Sequence, residues 1–169
     1  LADPDFVAKA CAGRPRDIAP CIACNQACLD HTFSGKLTTC LVNPRACHET
    51  ELTYPPTDTP RQIAVIGAGP AGMTAAMVAA GRGHEVTLWE RDTRLGGQLN
   101  MARKGPGKEE FHGLVDWFTT MMDHPRITLK LGTEATVDDL REFDEVIVAT
   151  GVRPRDPQIP GQETALGYI

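Results

Sequence analysis

The chain has 169 residues, 41% of them hydrophobic, with 17 Lys and Arg against 22 Asp and Glu and a net charge of −5. That composition gives a chain able to bury a real core and excludes wholesale disorder. No long Lys/Arg run supports nucleic-acid binding. The longest uncharged stretch, 63–81, is broken by Gly67, Gly69, Pro70 and Gly72, so it reads as strand, turn and helix and not as a membrane span.

In chain order, Leu1 is followed by neither a charged nor an apolar leader region, so no signal peptide is read. Residues 1–13 are predicted as a helix: Asp3 or Asp5 can cap it, Phe6, Val7 and Ala10 give an apolar face, and Gly13 can end it. Residues 14–60 are rich in Cys, Pro, Asn and Thr and weakly periodic, as expected of a loop-rich module organised by ligands. Its last part, LTYPPTDTP, reads as an extended linker. From Arg61 onward, apolar strands at 63–66, 86–89, 127–131 and 146–149 alternate with helices at 71–80 and 109–122. Strands alternating with helices imply a parallel α/β sheet. Residues 161–169 carry no strong pattern.

Six cysteines could form three disulfides, but four of them, Cys21, Cys24, Cys28 and Cys40, crowd into C-x2-C-x3-C-x11-C. A chain with an ordinary core has no need of disulfides, and the clustering favours metal binding in a reducing compartment, the cytoplasm. Spacing alone leaves three readings open: a [4Fe–4S] cluster, structural zinc, and disulfides or free thiols. The x3 gap and the lack of a second CxxC pair weaken zinc. Cys11 and Cys47 fit no ligand spacing and read as small buried residues. His48 reads as a packing or hydrogen-bonding residue, and His31, His84, His112 and His124 as surface or capping residues. Asn43-Pro44-Arg45 reads equally as a donor of hydrogen bonds near the cysteines or as a plain turn with a solvated Arg45. Glu109 and Glu110 suit a helix start rather than catalysis, and Lys108 suits solvent.

Gly67-x-Gly69-x-x-Gly72 falls between predicted strand and helix, where a dinucleotide site requires it. The first glycine permits the tight turn, the second lets backbone approach a pyrophosphate, and the third lets helix and strand pack closely. The helix start, with Ala71, offers free N–H groups to phosphate. Glu90 ends the next strand, where a carboxylate accepts ribose hydroxyls and repels a 2′-phosphate, so the site prefers FAD or NAD over NADP. Gly96-Gly97-Gln98 and Ala149-Thr150-Gly151 resemble the paired signatures of flavoproteins with two dinucleotide domains, and that resemblance implies FAD, with Gln98 near the cofactor.

The segment CIACNQACLDHTFSGKLTTCLVNPRACHE resembles the cluster segment of bacterial 2,4-dienoyl-CoA reductases, in the NADH:flavin oxidoreductase family of old yellow enzyme-like proteins. LADPDF, IAVIGAGPAGM, LGGQL, PGKEEF and ATGVRPR continue the resemblance in order. It implies a loop-rich four-cysteine cluster segment followed by a partial Rossmann-like FAD-binding domain. Residues 1–13 would end a (β/α)8 barrel, 14–60 would hold the cluster, 61–155 would begin the FAD domain, and 156–169 would lead to an absent NAD(P)H domain. It also implies [4Fe–4S] ligation by Cys21, Cys24, Cys28 and Cys40, and adenine contact by the Ala135 backbone. Electrons would pass from NAD(P)H to FAD, cluster, FMN in the barrel, and an enoyl-CoA of fatty acid β-oxidation. The barrel and NAD(P)H domains of the same polypeptide are then the implied partners, with neither nucleic acid nor membrane. No catalytic residue of the barrel is present to carry over, and the chain is expected to be an internal fragment, inactive alone. Alternatives are another member of that family (an enoate reductase or amine dehydrogenase), a non-catalytic electron carrier, and a zinc-stabilised nucleotide-binding module.

Overall fold

The computed structural model describes residues 1–153, 155–156 and 158–164. Four parallel strands, β1 (Gln62–Ile66), β2 (Glu85–Glu90), β3 (Ile127–Leu131) and β4 (Glu145–Val148), form one sheet in the order β3-β2-β1-β4. Parallel neighbours need crossovers. Helix α3 (Pro70–Gly81) joins β1 to β2, and α4 (Leu99–Ala102) and α5 (Glu110–Met121) lie between β2 and β3. The parallel α/β fold expected from the alternation is therefore present, and each expected strand and long helix lies within a residue or so of its predicted bounds.

The reason is visible in the burial. Ile63, Ala64 and Val65 of the central strand are all buried, as a strand covered on both faces must be. On β2, Val86 and Leu88 join the core of α3 and α5, built from Met73, Ala76, Ala79, Ala80, Leu114 and Phe118. Trp89, pointing to the other face, is met edge-on by Phe143 at 5.1 Å and capped by the Lys130 ammonium at 4.7 Å. Small alanines on α3 let helix and sheet approach closely. On the edge strand β4, Val148 is 72% exposed, so the apolar side chains of the sheet lie open there.

Residues 14–60 are loop-rich, as expected, and hold two short elements. A 3-10 turn (Pro15–Asp17) and a short helix α2 (Leu29–Phe33) follow α1 (Phe6–Cys11). This segment is docked on the sheet domain. The Trp117 indole N–H of α5 donates to the Asp17 carbonyl at 3.0 Å, and Ile22 and Val42 pack against the core cluster.

Two expectations for the first helix fail. Phe6 and Val7 are exposed and α1 buries none of its residues, so its apolar face is unpartnered. Asp5 occupies the N-cap without a side-chain bond. Asp3, two residues before the cap, ties the helix to the chain that follows: its carboxylate accepts from Lys9 Nζ at 2.7 Å, from the Ala19 N–H at 2.7 Å and from the Asp5 N–H at 2.9 Å. Of the expected connection at 156–169, positions 157 and 165–169 lie outside the described residues.

Burial pushes the Asp3 carboxyl up, but the Lys9, Ala19 and Asp5 hydrogen bonds outweigh it and hold it below the usual carboxylate range. A depressed carboxylate stabilises the fold above its unfolded pKa and loses that contribution as pH falls through its folded value. Acidification below about pH 4 is therefore expected to free residues 1–19 before the sheet unfolds. Hydrogen exchange against pH checks this, and Asp3→Asn should remove the pH dependence.

Candidate functional site

All four strands end on one edge, and the glycine-rich loop lies there. Gly67, at φ +102°, takes its N–H to the Trp89 carbonyl, while the Ala149 N–H returns to Ile66, at 2.8 Å each. A Cβ on Gly67 would stand 2.5 Å from the Ala149 carbonyl oxygen, so β1 and the end of β4 close on backbone alone. A Cβ on Gly72 would stand 1.9 Å from the Gly67 oxygen, which fixes the first turn of α3 against the loop. Gly69 differs: nothing lies within 4 Å of the position a Cβ would take. It caps α3, and Pro70 follows at the first helical position. Ala71 is exposed on that same turn.

Glu90, at the end of β2, is 8% exposed. Its Oε2 accepts the Ala68 N–H at 2.7 Å and its Oε1 the Asp92 N–H at 3.0 Å. The carboxylate thus fastens the glycine loop to β2, a bond no spacing in the sequence announces. Each oxygen keeps a further lone pair. The Thr133 N–H bonds the Glu90 carbonyl at 3.0 Å, which brings the half-buried Ala135 segment to this edge. Gly96 donates to the Ala68 carbonyl at 2.9 Å, and a Cβ on Gly97 would stand 3.0 Å from the Gly69 Cα. The exposed Gln98 amide donates to the Val152 carbonyl at 3.0 Å. So the structure brings Gly67, Gly69, Ala71, Gly72, Glu90, Gln98 and Ala135 to the carboxyl edge of the sheet, where open α/β sheets bind ligands. The open side of Gly69 and the unpaired first-turn amides of α3 fit a dinucleotide pyrophosphate.

The cysteine loop lies apart from that edge. Cys21 is exposed, and Cys24, Cys28 and Cys40 are half-buried. The Thr39 N–H bonds the Ala27 carbonyl at 2.8 Å, folding the residue before Cys40 onto the residue before Cys28. The Ala23 N–H donates to Cys21 Sγ at 3.4 Å. Ala23 and Asn25 are both left-handed, at φ +51° and +57°. Such turns aim successive N–H groups into one concavity of the kind that holds anions and iron–sulfur clusters, and non-glycine residues persist there only where their surroundings impose it. None of the six cysteines is in a disulfide. Among the described residues no three His, Cys, Asp or Glu side chains gather closely enough to share one metal ion. The donor set, four thiols in one loop, fits an anionic thiolate-bound cluster in its chemistry.

Cys11 and Cys47 are exposed rather than buried. Cys11 ends a helix with no buried residue, and Cys47 sits in a left-handed turn at φ +64°. His84 is likewise no surface residue: it is buried, and its Nδ1 accepts the Arg61 N–H at 3.1 Å. His48 pairs with Glu51 at 3.0 Å, and His31, His112 and His124 make local bonds to backbone, as expected.

Residues 61–169 match the family model of the pyridine nucleotide-disulphide oxidoreductases. The chain belongs to that family. It is 43% identical to a metal reductase of Desulforamulus reducens over 96% of its own length and 25% of the relative's. It is 39% identical to an N,N-dimethylglycine/sarcosine dehydrogenase of Chromohalobacter salexigens, covering 95% of this chain and 24% of that protein. A solved 2-naphthoyl-CoA reductase superposes with a TM-score of 0.91 at 38% identity, covering 96% of this chain and 25% of that one. The chain spans about a quarter of the length of these relatives, which are oxidoreductases by name. None of the three names carries the expected dienoyl-CoA substrate.

The glycines make a stability test. Gly72→Ala must displace backbone at 1.9 Å and is expected to cost more than about 2 kcal/mol, as overpacking does. Gly69→Ala meets open space and should cost about 1 kcal/mol or less, the loss of a favoured cap. Urea midpoints of the two variants check the order.

Proposed function

We propose that this chain is the electron-transfer portion of a larger flavin and iron–sulfur oxidoreductase, holding FAD on the glycine edge and a [4Fe–4S] cluster on Cys21, Cys24, Cys28 and Cys40. The observation that carries the reading is the docking of the cysteine segment on α5 and the core of the nucleotide fold, through Trp117–Asp17, Ile22 and Val42. One packed unit would then fix the separation of the two groups. When bound, FAD and the cluster supply the exchange between two-electron hydride chemistry and single-electron transfer.

The chain's own residues have definite tasks in this reading. The first-turn amides of α3 and the open side of Gly69 would hold the pyrophosphate, and the remaining lone pairs of Glu90 would accept ribose hydroxyls while its charge would repel a 2′-phosphate. Gln98 releases or shares its bond to Val152 beside the cofactor, and the Ala135 backbone meets the adenine. The Ala23 N–H, which donates to Cys21 Sγ, would help hold that side chain in the loop. Residues 1–13 would close a barrel that holds FMN and substrate, 14–60 would hold the cluster, 61–155 would hold FAD, and 156–169 would lead to an NAD(P)H domain.

For the whole protein we propose NAD(P)H-dependent reduction of a conjugated enoyl-CoA such as a 2,4-dienoyl-CoA, in the reducing cytoplasm. The resemblance of the cysteine segment and the likeness to the solved 2-naphthoyl-CoA reductase support this. Oxidation of a methylated amine is the second reading, favoured by the dehydrogenase relative. Assay of the full-length protein with a dienoyl-CoA and NAD(P)H, against a secondary amine with an electron acceptor, separates them. No helix among the described residues is long and apolar enough to cross a membrane.

Cys→Ser at position 21, 24, 28 or 40 is expected to abolish the absorbance near 400 nm of anaerobically reconstituted protein, whereas Cys11→Ser and Cys47→Ser keep it. A full cluster in Cys40→Ser would refute the ligand set. Glu90→Ala should weaken ADP or FAD binding by about 1–3 kcal/mol, the scale of hydrogen bonds to a charged group. Calorimetric titration with ADP reads this, and an unchanged affinity would remove Glu90 from the site.

A further inference from the structure

Arg45 is left with a donor that nothing in the fold uses. Its Nε is buried and has no hydrogen-bond partner among the described residues. An unpaired buried donor on a cation is expensive, and native structures retain one where a bound group supplies the acceptor. The residue is not loosely held. Its N–H bonds Asn43 Oδ1 at 3.2 Å, its carbonyl accepts the His48 N–H at 2.8 Å, and its guanidinium lies 5.4 Å from the Tyr54 ring centre. Asn43 is tied in turn to the Leu1 carbonyl at 2.8 Å.

This loop leads directly from Cys40. The Thr39 hydroxyl bonds the Pro44 carbonyl at 3.3 Å, and Cys40 and Pro44 line one cleft. Arg45 therefore sits on the arm that brings the fourth thiol back. The nearby anion, Glu49, is engaged elsewhere. Its carboxyl is held below the usual range first by its own N–H and then by that of Cys47, with Arg45 contributing only through charge. The Glu49 oxygen on Cys47 is at 3.1 Å, and no bond joins it to the Arg45 Nε.

We infer that Arg45 is a positioning residue for the iron–sulfur centre: its Nε–H donates to a sulfur of the cluster, and its fixed charge favours the more negative, reduced form. The inference rests on the proposed cluster. Thiolate and sulfide sulfurs are the acceptors this segment would gain on loading, and hydrogen bonds to sulfur together with local charge set the potential of such centres. The guanidinium lies beside the Tyr54 ring, and the Asn43 bond fixes the Arg45 backbone.

The test uses the full-length, cluster-loaded protein labelled with 15N-arginine. Iron content and absorbance near 400 nm establish the cluster. Pulsed EPR of the reduced centre then reads nitrogen coupling, and a redox titration reads its potential. A 15N coupling in the native protein, lost in Arg45→Lys and Arg45→Met, is expected. Arg45→Met should lower the potential by the equivalent of a tenfold loss in the one-electron reduction constant, about 59 mV. Arg45→Lys, which keeps the charge, should shift it less. Tyr54→Leu, which disturbs the packing but keeps the donor, should retain the coupling. A native protein without iron overturns the cluster reading and this inference with it. A loaded native protein that shows no 15N coupling, or an Arg45→Met potential equal to the native one, overturns the role of Arg45 alone. Should Arg45→Met fail to load, the native coupling and the Arg45→Lys spectrum decide.

Discussion

The approach of two backbones, at Gly67 and Gly72, is the constraint on which the rest of the nucleotide edge depends. With hydrogen in place of a side chain at both positions, the first turn of α3 settles directly on the loop leaving β1. The helix axis then points its free amides over the carboxyl ends of the strands, and Ala149 can close the other side of the same loop. The Glu90 bond to Ala68 is possible only because the loop is drawn down this far. Gly96 and Gly97 pack on the result. Close packing of this kind is all-or-none, because a single Cβ would meet oxygen at well under contact distance.

The cysteine segment depends on that domain and adds little apolar area of its own. Ala19, Ala27 and Ala46 are its buried hydrophobic residues, all small. What holds it is a set of directed bonds and a few docked side chains: Asp3 to Ala19, Trp117 to Asp17, Ile22 and Val42 on the core. A loop built this way keeps strained turns at Ala23 and Asn25 that its own packing does not explain. The proposed cluster on the four thiols would give those turns a purpose.

The sequence showed the sheet more fully than the site. Period and length located every strand, since Ile63–Val65 and Val86–Leu88 are continuous or alternating apolar runs bounded by glycine and charge. Glycine spacing placed Gly67, Gly69 and Gly72 where they are. What it concealed depends on contacts between distant residues. The apolar side chains of α1 suggested a buried face, yet no element among the described residues covers Phe6 and Val7. His84 looked like a surface residue because nothing in the local pattern shows that its ring will stand behind the Arg61 amide. Glu90 was legible as an acid at a strand end, but its grip on Ala68 exists only after the fold has brought residues 68 and 90 together. Cys11 and Cys47 were read from residue type, and type alone does not decide burial at a helix end or a left-handed turn.

The two halves of the molecule leave different polar groups waiting. At the glycine edge, the first-turn amides of α3 lie beside the open side of Gly69, where water can satisfy them in the absence of a nucleotide. Near Cys40, the Arg45 Nε is shielded from water and has no such substitute. A ligand that binds only the folded state stabilises it in proportion to the logarithm of its concentration over its dissociation constant, about 2.7 kcal/mol at a hundredfold excess. An exposed cradle can therefore fold empty and gain stability later. In the proposed cluster reading, a loop with one buried unpaired donor would gain on loading both that linkage term and relief of the donor. That physical asymmetry would tie the native geometry of the cysteine loop to the proposed cluster more closely than the glycine edge is tied to a nucleotide.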